Sequence, residues 1–204
     1  MRARARTLGA LGATALAALV IAAPATAKTK TKTFQNPTSV PIPQAIDNPA
    51  PVPNTLGQAF SEVGATKTGT VKDVNVGVQI AAPDTQRLVL YLFKGDKFVE
   101  LSASNAGGAS TADYGGGTEC SGGISIFDGG APSFIYQGSN PFAGSFRPSP
   151  ALGLGSDNLA KFNGDKLSGT WKLVVLRSDP PPPVVAGAIN CVQITAKYKP
   201  SKSG

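Results

Sequence analysis

Val74, Val76, Val78 and Ile80 alternate with Asn75, Gly77 and Gln79. A hydrophobic period of two puts every second side chain on one face of an extended strand. After residue 27 no window sustains the 3.6-residue period of an amphipathic helix, so the chain is confined to all-β solutions. Leu88 to Phe93 is a continuous apolar run, the pattern of a strand covered on both faces. Lys94–Lys97 supplies a turn and Phe98–Leu101 a return strand. Ile124–Phe127 and Ser133–Tyr136 read as short strands, Gly169–Leu176 as the strongest strand and Ala188–Tyr198 as the closing one. Between them lie the Gly-rich stretch Asn105–Gly123, without a packing surface of its own, and Asp179–Pro183, whose prolines block continued pairing. Gly and Pro together make up 24 + 17 = 41 of 204 residues, so turns are frequent and elements short. Seven or eight short strands joined this way predict an antiparallel jelly-roll sandwich.

The ends read differently from the middle. Arg2, Arg4 and Arg6 precede an apolar run from Leu8 to Ala23, which ends at Ala25-Thr26-Ala27. That is the three-part layout of a secretory signal peptide cleaved after Ala27. The run is 16 residues long and contains Gly9, Gly12 and Thr14, short of the ~20 strongly apolar residues of a membrane span. Residues 28–58 follow as a basic and Pro-rich arm, with Pro37, Pro41, Pro43, Pro49, Pro51 and Pro53 biasing it to extended backbone outside the core. Residues 59–199 form the expected β-sandwich and 200–204 a tail. The product is expected to be secreted and free of a membrane span.

The formal charge of +7 falls to +4 without the three leader arginines, and to +1 once Lys28, Lys30 and Lys32 are set aside. A nucleic-acid binder concentrates positive charge on its folded body, so no nucleic-acid partner is expected. Attraction of the basic arm to an anionic surface is weighed against a simple solvated tail, and the tail is preferred. His is absent, which removes the Ser-His-Asp and Cys-His nucleophiles and the histidine zinc sites. Cys120 and Cys191 are the only cysteines. In an exported chain such a pair reads as a disulfide, here tying the Gly-rich loop to the last strand.

Within Gly138–Trp171, the order Asn140-Pro141-Phe142-Ala143-Gly144-Ser145-Phe146-Arg147-Pro148, then Leu159-Ala160-Lys161-Phe162-Asn163-Gly164, then Ser168-Gly169-Thr170-Trp171-Lys172-Leu173 resembles the P domain (Homo B domain) of proprotein-convertase-like subtilases. Gly69–Val76 resembles that family's first core strand, Phe127-Asp128-Gly129-Gly130-Ala131 its acidic segment, and Gly187-Ala188-Ile189-Asn190 its last strand. The resemblance spans residues 59–198 and arrives without a protease domain. It implies a galactose-binding-like jelly roll that supports a catalytic domain, with Phe127, Asp128, Phe142, Gly144, Phe146, Pro148, Phe162, Gly164, Gly169 and Trp171 as structural motif residues. The sequence departs from the family at Ala82, Pro83, Arg87, Gly129, Arg177 and Val192. Three of these replace carboxylates, which weakens any calcium site, since Ca²⁺ takes six to eight oxygen ligands.

Each candidate site has a plainer reading beside it. Trp171 is a ligand platform or, preferred, a core aromatic. Phe142 and Phe146 form a recognition loop or, preferred, anchor a turn, in which Arg147 pairs with a carboxylate. Asp113, Glu119 and Asp128 flank the Gly-rich loop. As a glycosidase pair they would need a rigid separation and one raised pKa, which Gly-rich neighbours do not supply. Calcium at Asp128 with Asp113 is the one metal reading, and no cofactor is expected. Leu152–Asp157 has the glycines of a phosphate loop but no helix after it. The expectation is a non-catalytic exported module that binds or stabilises an extracellular protein such as an exported protease. A carbohydrate- or cell-wall-binding module is the alternative.

Overall fold

The computed structural model describes residues 28–46, 55–82, 84–103, 113–149, 158–178 and 187–201. Residues 1–27, where a leader is expected, the prolines 49, 51 and 53, Pro83, residues 105–112, the glycine run 152–157 and the proline run 179–183 lie outside the described residues.

Ten strands are present among the described residues. They are β1 (Lys30–Asn36), β2 (Val40–Ile42), β3 (Gly57–Ala65), β4 (Gly69–Ala81), β5 (Leu88–Lys94), β6 (Lys97–Ala103), β7 (Ser125–Phe127), β8 (Gly144–Phe146), β9 (Gly169–Arg177) and β10 (Gly187–Pro200). They form two sheets. The first runs β1-β10-β4-β7-β8, with β2 continuing the β1 edge of β10; the second runs β3-β9-β5-β6. Every pairing is antiparallel except β7 with β8. This is the expected all-β sandwich.

The valines of β4 face inward and meet Val192, Ile194 and Ala196 of β10 across the ladder. A strict period of two would put Val71 on the wrong face. The register steps from Lys197↔Asp73 to Tyr198↔Val71, so Lys72 is a bulge residue and the inward set resumes at Val71. A second step, between Ile189 and Cys191, does the same at Asn190 and turns Cys191 to the outer face. From the second sheet, Ala59, Val63, Leu88, Leu90, Leu92, Val99, Leu101, Trp171, Leu173 and Val175 complete the core. Burying side chains of this size contributes about 1.5–3 kcal/mol each, before the entropy of ordering them is charged.

Two expectations change. Residues 28–58 are not an arm outside the domain: β1 pairs with β10 over seven residues and Phe34 and Ile42 enter the core. The prolines permit this because β1 and β2 lie at a sheet edge, where a missing N–H costs no ladder bond; Pro41 sits within β2 itself. Ser133–Tyr136 is not a strand. Ile135–Gln137 is a 3₁₀ turn, and only Phe134 bridges, to Arg147. With Gln137 Oε1 accepting from Phe134 N, the segment closes on itself rather than extending.

Candidate functional site

The two sheets each have an outer face, and the two are treated differently. On the first sheet, Gln79, Gly77 and Gln193 point outward and the glycine-rich loop around Gly115–Gly123 lies over them. Gln79 Nε2 donates to Gly122 O at 3.0 Å and Gln193 Nε2 to Cys120 O at 2.9 Å. Cys120 and Cys191 are joined in a disulfide, fixing the loop to β10. Close approach explains the glycines. A Cβ on Gly115, whose φ is +82°, would stand 2.6 Å from Gly123 O. The loop also sends Tyr114 inward, fully buried, with its hydroxyl 2.9 Å from Ser102 Oγ and its ring beside Phe127 and Phe142. Burial pushes the Tyr114 hydroxyl's pKa well above its ordinary value. An Asn105–Gly123 loop without a packing surface was expected; its described part is instead a lid with a core anchor.

The outer face of the second sheet carries no such lid among the described residues. Its strand register lines up three cross-strand rows. The first is Gln58, Leu176, Val89 and Ala103; the second is Phe60, Val174, Tyr91 and Glu100; the third is Glu62, Lys172, Phe93 and Phe98. Seven of these twelve side chains are large and apolar, where the solvated face of an antiparallel sheet is normally polar. Phe93 stacks on Phe98 with centroids 5.4 Å apart, and Tyr91 meets both edge-on at 6.3 and 5.9 Å. Phe60 is 57% exposed, Phe93 and Phe98 are half-buried, and Tyr91, Val174, Glu100 and Ala103 are buried. Burial, followed by the neighbouring Glu100 carboxylate, raises the Tyr91 pKa, so this hydroxyl stays neutral and able to donate.

Cations rim the face. Lys172 Nζ stands 6.0 Å from the Phe60 ring and 5.8 Å from Phe93, and Lys161 Nζ 5.0 Å from Phe98. Beyond the β5–β6 turn lies an open cleft of about 530 Å³ between Lys94–Lys97 and Asp165–Thr170. There Lys94 Nζ sits 4.4 Å over Trp171 and donates to Leu167 O and Ser168 O. Burial lowers its pKa, partly countered by Asp165. Lys97 pairs with Asp165 at 2.6 Å. Lys94, Lys161, Lys166 and Lys172 form no ion pair among the described residues.

The sequence candidates fall mostly into packing. Phe127, Phe142, Phe162 and Trp171 are fully buried and Phe146 packs against the core. Phe162 meets Trp171 edge-on at 5.2 Å, and Trp171 Nε1 donates to Leu167 O. Pro148 is buried. Gly144, Gly164 and Gly169 take positive φ values. Asp113 Oδ1 accepts from Ala82 N, 31 residues earlier in the chain, and Asp128 Oδ1 accepts from Gly130 N within a turn. Glu119 is exposed. No group of three or more His, Cys, Asp or Glu that could hold a metal occurs among the described residues. Arg147 does not pair with a carboxylate as expected; its Nη2 donates to Pro132 O and its guanidinium lies 4.1 Å over Phe134. Sequence reading missed the aromatic outer face. Its signal was present in the unbroken Leu88–Phe93 run, whose odd members Val89, Tyr91 and Phe93 stand on that face.

No protein-family model matches the chain and no curated protein matches it. Among solved structures it is similar to FLHE, at 12% identity and a TM-score of 0.40 over 83% of this chain and 97% of that one. It is also similar to the serine protease of Aeromonas sobria, at 15% identity and 0.37 over 82% of this chain and 27% of the protease. The complex of that protease with its chaperone gives 13% and 0.34, over 83% and 28%. The chain thus spans little more than a quarter of the protease chains. Superpositions this loose transfer neither a fold nor a role. The disulfide itself points to an oxidising compartment, extracellular or periplasmic, and no helix among the described residues is long and apolar enough to cross a membrane.

Proposed function

We propose that this chain is a non-catalytic, exported, P-domain-like module that binds a protein partner, such as an exported protease, on the outer face of its second sheet. The observation that supports this is the aromatic row of Phe60, 57% exposed, and the half-buried Phe93 and Phe98 on that face, while the opposite outer face is lidded and stapled. Contiguous exposed apolar surface marks interaction sites in soluble proteins, and interface cores are enriched in aromatic residues. The lysine rim sets the partner's chemistry: an apolar protrusion flanked by carboxylates, the nearer of which reach Lys172 and the Lys94–Lys166 cleft. Such charges raise the rate of encounter and select the partner more than they add affinity.

The carbohydrate alternative rests on the same aromatic rings. It is less well supported, because three of the rings pack edge-on or stacked against one another rather than standing as separate platforms. Native electrophoresis of the exported protein tests the choice. Wild type is expected in a discrete complex, while the doubly substituted Phe60→Ser, Phe93→Ser protein runs as a monomer with its thermal midpoint retained. A wild type that runs as a monomer and is retained on peptidoglycan, chitin or glucan columns contradicts the protein-partner reading and favours the glycan one.

A further inference from the structure

A small cavity of about 200 Å³ lies at the β8 end of the first sheet, away from the aromatic face, lined by Gly129, Phe134, Arg147, Pro148 and Asn158. Arg147 is held there with unusual rigidity for a surface cation. Its backbone N donates to Ser133 O at 2.7 Å and its carbonyl accepts from Ile135 N. Its guanidinium donates once, to Pro132 O at 3.0 Å, and lies over Phe134, which is in turn stacked on the exposed Tyr136 at 5.4 Å and 11°. The fork offers five donors, yet Nε is buried with no acceptor and no carboxylate lies within ion-pair distance among the described residues. A buried donor left unmatched, on a group that is always charged, is costly. Asn158 spends its Oδ1 on Ala160 N. Asp128 precedes the lining residue Gly129 in the chain; its backbone N donates to Phe146 O and its Oδ1 accepts from Gly130 N.

We propose that this cavity is a ligand site for a carboxylate, which pairs with the fixed Arg147 guanidinium. The cavity is smaller than the ~300 Å³ floor of drug-sized pockets, so the ligand is a small acid or one acidic sugar unit. Asp128, one residue before the lining residue Gly129, carries the same charge as the anion. The inference does not depend on the docking face, since none of these residues belongs to the second sheet.

The test follows the Arg147 Nε–H resonance in ¹⁵N-labelled protein during titration with sodium acetate, sodium glucuronate, glucose, and sodium chloride at matched ionic strength. A saturable downfield shift is expected with acetate or glucuronate and not with glucose or chloride. Binding to both acids identifies a simple carboxylate site. Binding to glucuronate alone identifies an acidic sugar. Arg147→Lys keeps the charge but loses the planar fork, and is expected to weaken binding at least tenfold, read from ligand-side saturation-transfer signals. Asp128→Asn is expected to tighten it by about threefold, the size of one removed like-charge contact near the surface. No saturable shift, an equal shift with chloride, or unchanged affinity in a folded Arg147→Lys protein would overturn the proposal.

Discussion

The two outer faces of this sandwich are built from the same kind of strand and finished in opposite ways. On the first sheet the outward residues are Gln79, Gly77 and Gln193, small or polar, and the chain covers them with its own glycine-rich loop and seals the loop with Cys120–Cys191. On the second sheet the outward residues are Phe60, Val174, Tyr91, Phe93 and Phe98; Phe60 is exposed, Phe93 and Phe98 are half-buried, and Val174 and Tyr91 are buried. Polar side chains lie under the lid of the first sheet, and large apolar ones make up the outer rows of the second. That difference is the ground of the docking proposal.

Four changes, the second with a near-neutral control at Gly64, sharpen the comparison in falling order of effect. Replacing Cys120 and Cys191 by Ser releases a 71-residue loop, worth about 4 kcal/mol in the chain-entropy account. The thermal midpoint is expected to drop by on the order of 10 °C; an unchanged midpoint would show that the lid does not depend on its staple. Gly115→Ala places a methyl 2.6 Å from Gly123 O at a positive φ and is expected to cost about 1–3 kcal/mol in denaturant unfolding. The equivalent change at Gly64 on the open sheet meets nothing within 4 Å and is expected to be close to neutral.

Tyr114→Phe removes one buried hydroxyl bond to Ser102, about 1 kcal/mol at neutral pH. It also alters the alkaline limb. The folded-state pKa of Tyr114 is raised, so the folded protein holds its proton more tightly than the unfolded chain. Stability is therefore full below pH 10, the ordinary tyrosine value, and declines as the pH climbs above it. The Phe variant is expected to show a shallower decline between pH 10 and 11.5, with Tyr91 carrying the remainder. Smallest of all, Phe60→Ser is expected to change stability by no more than about 0.5 kcal/mol, as for an exposed position. A loss of several kcal/mol would mean that Phe60 packs within the fold and is not offered to a partner.

Much of this was legible from residue order, because a period of two is a direct imprint of strand geometry. β4, β9 and β10 lie where alternation puts them, and the two bulges merely carry the inward set across a change of parity. The disulfide followed from two cysteines in a chain whose first 27 residues read as an export leader. What sequence could not show is tertiary. The edge strand β1 reads Lys-Thr-Lys-Thr, which looks like a solvated arm; only pairing with β10 makes it part of the sheet. Tyr114 sits among glycines that give no period at all, and its burial comes from the loop folding back across β4, where Tyr114 and Ile80 exchange backbone bonds. Ser133–Tyr136 has the composition of a strand but is closed into a turn by Gln137. The Leu88–Phe93 run was read as covered on both faces. Its even members Leu88, Leu90 and Leu92 are fully buried, while of the odd ones Tyr91 is buried and Val89 and Phe93 are half-buried.

Site-specific photo-crosslinking in the export compartment tests that face most directly, with a photoreactive phenylalanine analogue placed at Phe60 and, separately, at the exposed Thr33 on the first sheet. The expected result is a discrete protein adduct from position 60 and none from position 33. Adducts of equal yield from both positions, or from neither, would contradict the assignment of the second sheet's outer face as the docking surface.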